Sequence, residues 1–127
     1  MRRNEISGAM VDVAYQLHSN LGPGLLESVY EELLAYELAR RSLKVERQKP
    51  VPVFYDGNKI DLGFRADLVV EDIVLVELKS VEMLAPVRKK QVLTYLKISG
   101  LKLGLLMNFG TPLIKDGIVR MADGLPE

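Results

Sequence analysis

The chain has 127 residues, 48% of them hydrophobic and 27% charged, and its 17 Lys+Arg balance 17 Asp+Glu. Residues 1–127 therefore read as one domain with a sizeable core, and no apolar run approaches the ~20 residues that would cross a bilayer. The lack of cysteine excludes disulfides and thiolate metal sites and fits a cytoplasmic setting, while the zero net charge argues against a protein living by nonspecific phosphate contacts.

Met1-Arg2-Arg3-Asn4-Glu5 leads into an amphipathic pattern rather than a signal-peptide apolar segment. From about residue 5 to 20, Ile6, Met10, Val13, Leu17 and Leu21 recur at spacings of three or four, which predicts a helix. His18 near its end reads as a helix-terminal histidine without chemistry, because a single histidine has no partner for a metal site. Leu21-Gly22-Pro23-Gly24 breaks the helix and turns the chain. A second helix follows from about 25 to 41, with Leu26, Val29, Leu33 and Leu38 inward and Glu31, Glu32, Glu37, Arg40 and Arg41 mostly outward. In its first turn Glu27 and Tyr30 are three apart and share a face; an acid there also complements the helix dipole.

Two weaker strands come next. Leu43 to Gln48 is short and charged, an edge piece, and Pro50 to Tyr55 alternates Val51, Val53 and Tyr55 with Pro52 denying it one ladder donor. Asp56-Gly57 marks a turn, after which Asn58 to Leu62 returns towards the main hairpin. That hairpin is FRADLVV, a break at Glu71-Asp72, then IVLVELK. Phe64, Ala66, Leu68 and Val70 share a face of the first arm, Val74, Val76 and Leu78 a face of the second, and all seven are apolar. The other face carries Arg65, Asp67, Val69, Leu75, Glu77 and Lys79. Burying an unpaired charge costs several kcal/mol, so these charges stand at an opening or serve one another.

Register decides between two pictures. A two-residue turn would pair Val70 with Ile73 and point Asp67 and Glu77 to opposite faces. A loop of Glu71, Asp72 and Ile73 pairs Val70 with Val74, Asp67 with Glu77 and Arg65 with Lys79, and unites the seven apolar residues. That loop needs a residue near left-handed φ, which Asp72 tolerates better than Ile73. The second register is the expectation.

After Lys79 the chain loops to Ala85, and Pro86 opens a helix to about Ser99 that Gly100 closes. Arg88-Lys89-Lys90 lies in its first half, as a solvated face or a phosphate contact, and Gln91 and Tyr95 stack four apart on one face. Leu101 to Phe109 reads as a buried strand. Lys115-Asp116-Gly117 is a turn, Ile118 to Met121 a short strand, and Ala122 to Glu127 a frayed tail.

An Asp on one strand followed about ten residues later by Glu-x-Lys on the next resembles the PD-(D/E)XK nuclease superfamily. Asp67, Glu77 and Lys79 match, with Leu78 as the x and Ala66 where a proline is usual. Gly24, Glu27 and Tyr30 match the signature of its small GxxExxY family position for position, His18 through Gly24 looks like that family too, and the likeness covers nearly the whole chain. Gln91-x-x-x-Tyr95 resembles a motif of the exonuclease-like branch. The resemblance implies an α/β, restriction-endonuclease-like α-β-β-β-α-β core, its central mixed sheet flanked by helices, with an extra N-terminal helix. It implies Mg2+ or Mn2+ held by Asp67, Glu77, the Leu78 carbonyl and Glu27, with Lys79 orienting or deprotonating the water and Gln91 and Tyr95 positioning the phosphate or the lysine. Nucleic acid, DNA ahead of RNA, is the implied partner; no membrane is involved and a homodimer is compatible. The alternative is a catalytically silent module that binds nucleic acid or a protein. Metal chemistry and core formation demand the same hairpin register.

Overall fold

The computed structural model describes residues 2–124, with the backbone alone at 61–63. Two helices, α1 (Arg3–Leu21) and α2 (Glu27–Arg40), precede strands β1 (Val45–Tyr55), β2 (Asn58–Val70) and β3 (Val74–Lys79). Helix α3 (Val87–Ser99), β4 (Leu103–Asn108), a 3-10 turn (Ile114–Asp116) and β5 (Ile118–Ala122) complete the order. The five strands form one sheet in sequence order, antiparallel except for β3 and β4. A parallel pair cannot close through a tight turn, and α3 provides the crossover. This is the mixed sheet flanked by helices, with an additional N-terminal helix, that the resemblance implies. Among the described residues no helix is long and apolar enough to cross a membrane.

The two expected weak strands merge into β1, an edge strand. Its register with β2 shifts between Val51 and Val53, so Pro52 sits in a bulge, where its missing N–H costs no ladder bond. Asp56 (φ 51°) and Gly57 (φ 76°) close the β1–β2 hairpin as a two-residue turn with both residues left-handed.

The β2–β3 hairpin adopts the expected register, Val70 against Val74, Val69 against Leu75 and Leu68 against Val76. Its loop, 71–73, places Glu71 (φ 55°) as well as Asp72 (φ 54°) in the left-handed region and spares Ile73. The turn is pinned to the start of β1. The Glu71 N–H donates to the Lys44 carbonyl (2.8 Å), and the Lys44 N–H returns to the Glu71 carboxylate (2.6 Å). Lys44 Nζ also meets Asp72 at 2.8 Å, and that hydrogen bond is the main reason the Asp72 carboxyl falls to about 2.

Apolar side chains fill both faces of the sheet. One cluster joins Ile6, Met10, Val13, Ala14 and Leu17 of α1 and Tyr30, Leu34 and Leu38 of α2 to Leu68, Val70, Val74, Val76 and Leu78. The other joins Val92 and Leu96 of α3 to Val51, Ala66, Val69, Leu75 and Leu106. The seven apolar hairpin residues therefore do not share one face, contrary to expectation. Leu68, Val70, Val74, Val76 and Leu78 face α1 and α2, whereas Ala66 packs on the α3 side, and Phe64 stacks on Tyr95 of α3 with centroids 3.7 Å apart. Strand alternation resets at Asp67.

Helix α2 is rotated about one residue from the expected orientation. Tyr30, Glu31, Leu34 and Leu38 point inward, while Leu26 and Val29 are exposed, as is Leu21 at the end of α1. Tyr30 sets this rotation. Its ring stacks on Phe109 at 4.3 Å, its hydroxyl donates to the Gly22 carbonyl, and the Leu25 N–H donates back to it (3.3 Å). His18 is buried in the last turn of α1, and its Nε2 pairs with the Thr111 carbonyl at 2.9 Å. Of the tail read as frayed, residues 125–127 lie outside the described residues. Replacing Tyr30 by Phe leaves the ring stack but frees the Gly22 and Leu25 backbone groups. Urea unfolding of Tyr30→Phe should show stability lower by about 1–2 kcal/mol with an unchanged m-value.

Candidate active site

Asp67 is the first residue of β2 beyond its ladder with β3, which ends at Leu68–Val76. Its side chain takes over the pairing. Asp67 Oδ2 accepts the Leu78 N–H at 2.7 Å, while the Asp67 N–H points to Glu77 Oε1 at 3.4 Å. Each carboxylate thus meets a backbone N–H of the neighbouring strand, Asp67 that of Leu78 and Glu77 that of Asp67. Both are half-buried, as is Lys79, the last residue of β3, whose carbonyl accepts the Phe109 N–H (2.8 Å).

Like charge at this spacing is costly. Burial pushes the Glu77 carboxyl up to about 8, the Asp67 charge adds to the rise, and the Lys79 ammonium opposes it without cancelling it. Tyr95 faces the same group from α3: burial raises its phenol first, the Glu77 carboxylate second, and Arg88 opposes. Arg88, Gln91 and Tyr95 follow at helical spacing on the half-buried side of α3, and Arg88 Nη1 donates to Gln91 Oε1 at 3.0 Å. Lys89 and Lys90 are exposed, the solvated face considered from sequence.

On the other side a cleft of about 410 Å³ is lined by Glu27, Ser28, Glu31, Gln48, Asp67 and Leu78. Glu27, the exposed first residue of α2, shares this cleft with Asp67, whereas Glu77 faces Tyr95. The structure brings Asp67 to Glu77 and Asp67 to the Glu27 cleft. Among the described residues, however, no three His, Cys, Asp or Glu side chains form a ready-made cation site.

Two neighbours of Asp67 escaped the sequence reading. Glu31, expected outward, is 7% exposed; it accepts Arg47 Nη2 at 3.0 Å and Gln48 Nε2 at 2.5 Å. Gln48 also donates to Asp67 Oδ1 at 3.2 Å, and its φ of 48° is left-handed in mid-strand. Arg88, read as part of a charge run, belongs with Gln91 and Tyr95. The one available signal was its spacing of three and seven residues from them.

The donor chemistry fits a hard divalent cation: two adjacent carboxylates, the Leu78 carbonyl position between Glu77 and Lys79, and no sulfur or second histidine. The Glu77 carboxyl is raised first by burial and then by the Asp67 charge, and neither the Asp67 N–H nor Lys79 cancels the rise.

A family model described as the PD-(D/E)XK nuclease superfamily matches residues 4–121. No curated protein and no solved structure gives a significant match.

The raised Glu77 carboxyl fixes a sign. The folded chain keeps a proton that the unfolded chain releases between about 4.5 and about 8, so stability falls as pH rises through that window and levels above it. Glu77→Gln should remove this slope. Urea titrations should show the variant more stable than wild type by on the order of 2 kcal/mol near pH 9, with the gap closing near pH 4. An undiminished slope would place the proton elsewhere.

Proposed function

From the membership of this chain in the PD-(D/E)XK nuclease superfamily, we propose that it is a divalent-cation-dependent nuclease of the GxxExxY branch, hydrolysing phosphodiester bonds in nucleic acid, DNA before RNA. The observation that carries the reading is the Asp67–Glu77 pair, joined across β2 and β3 with Lys79 two residues on and Tyr95 opposite.

Mg2+ or Mn2+ would be held by Asp67, Glu77 and the Leu78 carbonyl, with Glu27 reaching from the α2 side. When bound, it supplies charge neutralisation at phosphorus and a more acidic water. Asp67 contributes a carboxylate fixed by the Leu78 N–H, so little reorganisation is left for binding. Glu77, which burial holds above the usual carboxylate range, would serve as a ligand in its carboxylate form. Lys79, beside Glu77, would orient the attacking water through its ammonium donors, and would take the water's proton only as the neutral amine. Arg88 and Gln91, tied to each other on α3, offer donors to the scissile phosphate, and the Tyr95 phenol, braced on Phe64, closes that side against bulk water. A homodimer and a cytoplasmic setting belong to the same proposal.

The rival reading, a silent module binding nucleic acid or a protein, draws on the zero net charge. Turnover separates the two. Purified chain with millimolar Mn2+ or Mg2+ should nick or degrade at least one of single- and double-stranded DNA and RNA. Lys79→Ala should lower the rate at least about a hundredfold while Mn2+ affinity and melting temperature stay near wild type. Asp67→Ala should abolish the Mn2+-induced rise in melting temperature. Near-normal cleavage by Lys79→Ala would reduce Lys79 to a structural ion-pair partner. No cleavage of any substrate, with Mn2+ bound, would favour the silent module.

A further inference from the structure

Nothing in the sequence motifs assigns a task to Gln48, yet three features converge on it. Its backbone is left-handed (φ 48°) within β1, where neighbouring residues pair normally: Arg47 with Leu68 and Lys49 with Ala66. Its side-chain amide donates to two carboxylates at once, Glu31 Oε1 at 2.5 Å and Asp67 Oδ1 at 3.2 Å. One of these, Glu31, is buried and independently fixed by Arg47 through Nε (3.2 Å) and Nη2 (3.0 Å). Backbone held in an unfavourable conformation by surrounding contacts gathers where a side chain must be aimed. Here the aim is at Asp67, directly across the β1–β2 ladder.

We propose that Gln48 is a positioning residue, its amide anchored on the Arg47–Glu31 ion pair so as to hold the Asp67 carboxylate in the orientation that accepts the Leu78 N–H. A carboxylate has two oxygens. With Oδ1 engaged by Gln48, the rotation of Asp67 is fixed and Oδ2 meets β3 at 2.7 Å. Without Gln48 the carboxylate turns freely and the β2–β3 junction loosens at the site. Partners one step removed from a metal-ligating group set its orientation, and their loss typically weakens metal affinity or activity 10–100-fold. That consequence deepens the proposed nuclease reading and rests on it; the aiming of Asp67 does not.

Gln48 is exposed, so substitution opens no cavity. Gln48→Gly is the informative variant: glycine accepts the left-handed backbone freely, so stability should hold or rise while the amide is lost. The first measurement needs no metal. Amide hydrogen exchange by NMR should show Leu78 exchanging about tenfold faster in Gln48→Gly than in wild type, with Val76 unchanged. An unchanged Leu78 rate would overturn the proposal. So would loosening of Leu78 together with the whole of β3, which marks a fold defect. Gln48→Asn, which tolerates the backbone but is one methylene short of bridging the two carboxylates, should reproduce the faster exchange; full protection in Gln48→Asn would also overturn it. The second measurement is calorimetry with Mn2+ alone, where Gln48→Gly should bind about 10–100-fold more weakly than wild type at equal melting temperature. If wild type itself binds no Mn2+, the cation reading fails, and the Leu78 exchange rate still decides the role of Gln48.

Discussion

The hydrogen bond from the Leu78 N–H to the Asp67 carboxylate is the contact on which the site depends. A strand N–H facing a neighbouring strand ordinarily meets a carbonyl. Here it meets a side chain, and the β2–β3 ladder ends one residue earlier, at Leu68–Val76. The substitution of carboxylate for carbonyl has two effects. It draws a charged group into the gap between two central strands, with a charge-assisted bond partly offsetting the desolvation. It also resets the alternation of β2, so that Leu68 and Ala66, two residues apart, serve cores on opposite faces of the sheet.

Support for that arrangement comes from the parallel side. Strand β3 pairs with β4 along all six residues, Val74 with Leu103 through Lys79 with Asn108, so losing ladder on the β2 side does not free it. Asn108 then locks the following turn, its side chain bonded to both the N–H and the carbonyl of Val81 and to the Gly110 N–H. A side chain at Gly110 would collide with the Val81 backbone at 2.3 Å, so the chain leaving β4 passes too close for any other residue. Glu77 and Lys79 are therefore held on a strand rigid at one edge and parted at the other, which suits groups that must be placed accurately yet remain reachable.

Much of this was legible. The register of the β2–β3 hairpin followed from the parity of Leu68, Val70, Val74 and Val76, together with a loop able to take a left-handed residue and the need to bring Asp67 beside Glu77. The helices followed from period and from their Gly and Pro punctuation. What escaped were features set by contacts far apart in sequence. Helix α2 offers two plausible apolar stripes, Leu26-Val29-Leu33 and Tyr30-Leu34, that share Leu38, and the period cannot choose between them. Tyr30 chooses, through Phe109 and Gly22, and the resulting turn of about one residue swings Glu31 inward to Arg47 and Gln48. Alternation failed at Asp67 for the same kind of reason. Parity assumes that every side chain stands above or below the sheet, whereas Asp67 bonds across to the neighbouring strand.

The zero net charge, read from composition as evidence against a polyanionic partner, looks different once charges are placed. The acidic residues Asp12, Glu31, Glu37, Glu46 and Asp72 are engaged by Arg41, Arg47, Arg40, Lys44 and Lys49, which lie between the second helix and the start of β1. At the start of α3, by contrast, Lys89 and Lys90 are exposed and form no ion pair among the described residues, and Arg88 turns towards Gln91 and the Tyr95 side of the carboxylates. Net charge sums these regions, but an approaching phosphate responds to the local field within about a Debye length, roughly 8–10 Å at physiological salt. The exposed Lys89 and Lys90 stand on the same helix as Arg88 and Gln91, which would handle phosphate. The balance of 17 against 17 is a sum over the whole chain, and says little about what the exposed lysines of the α3 side attract.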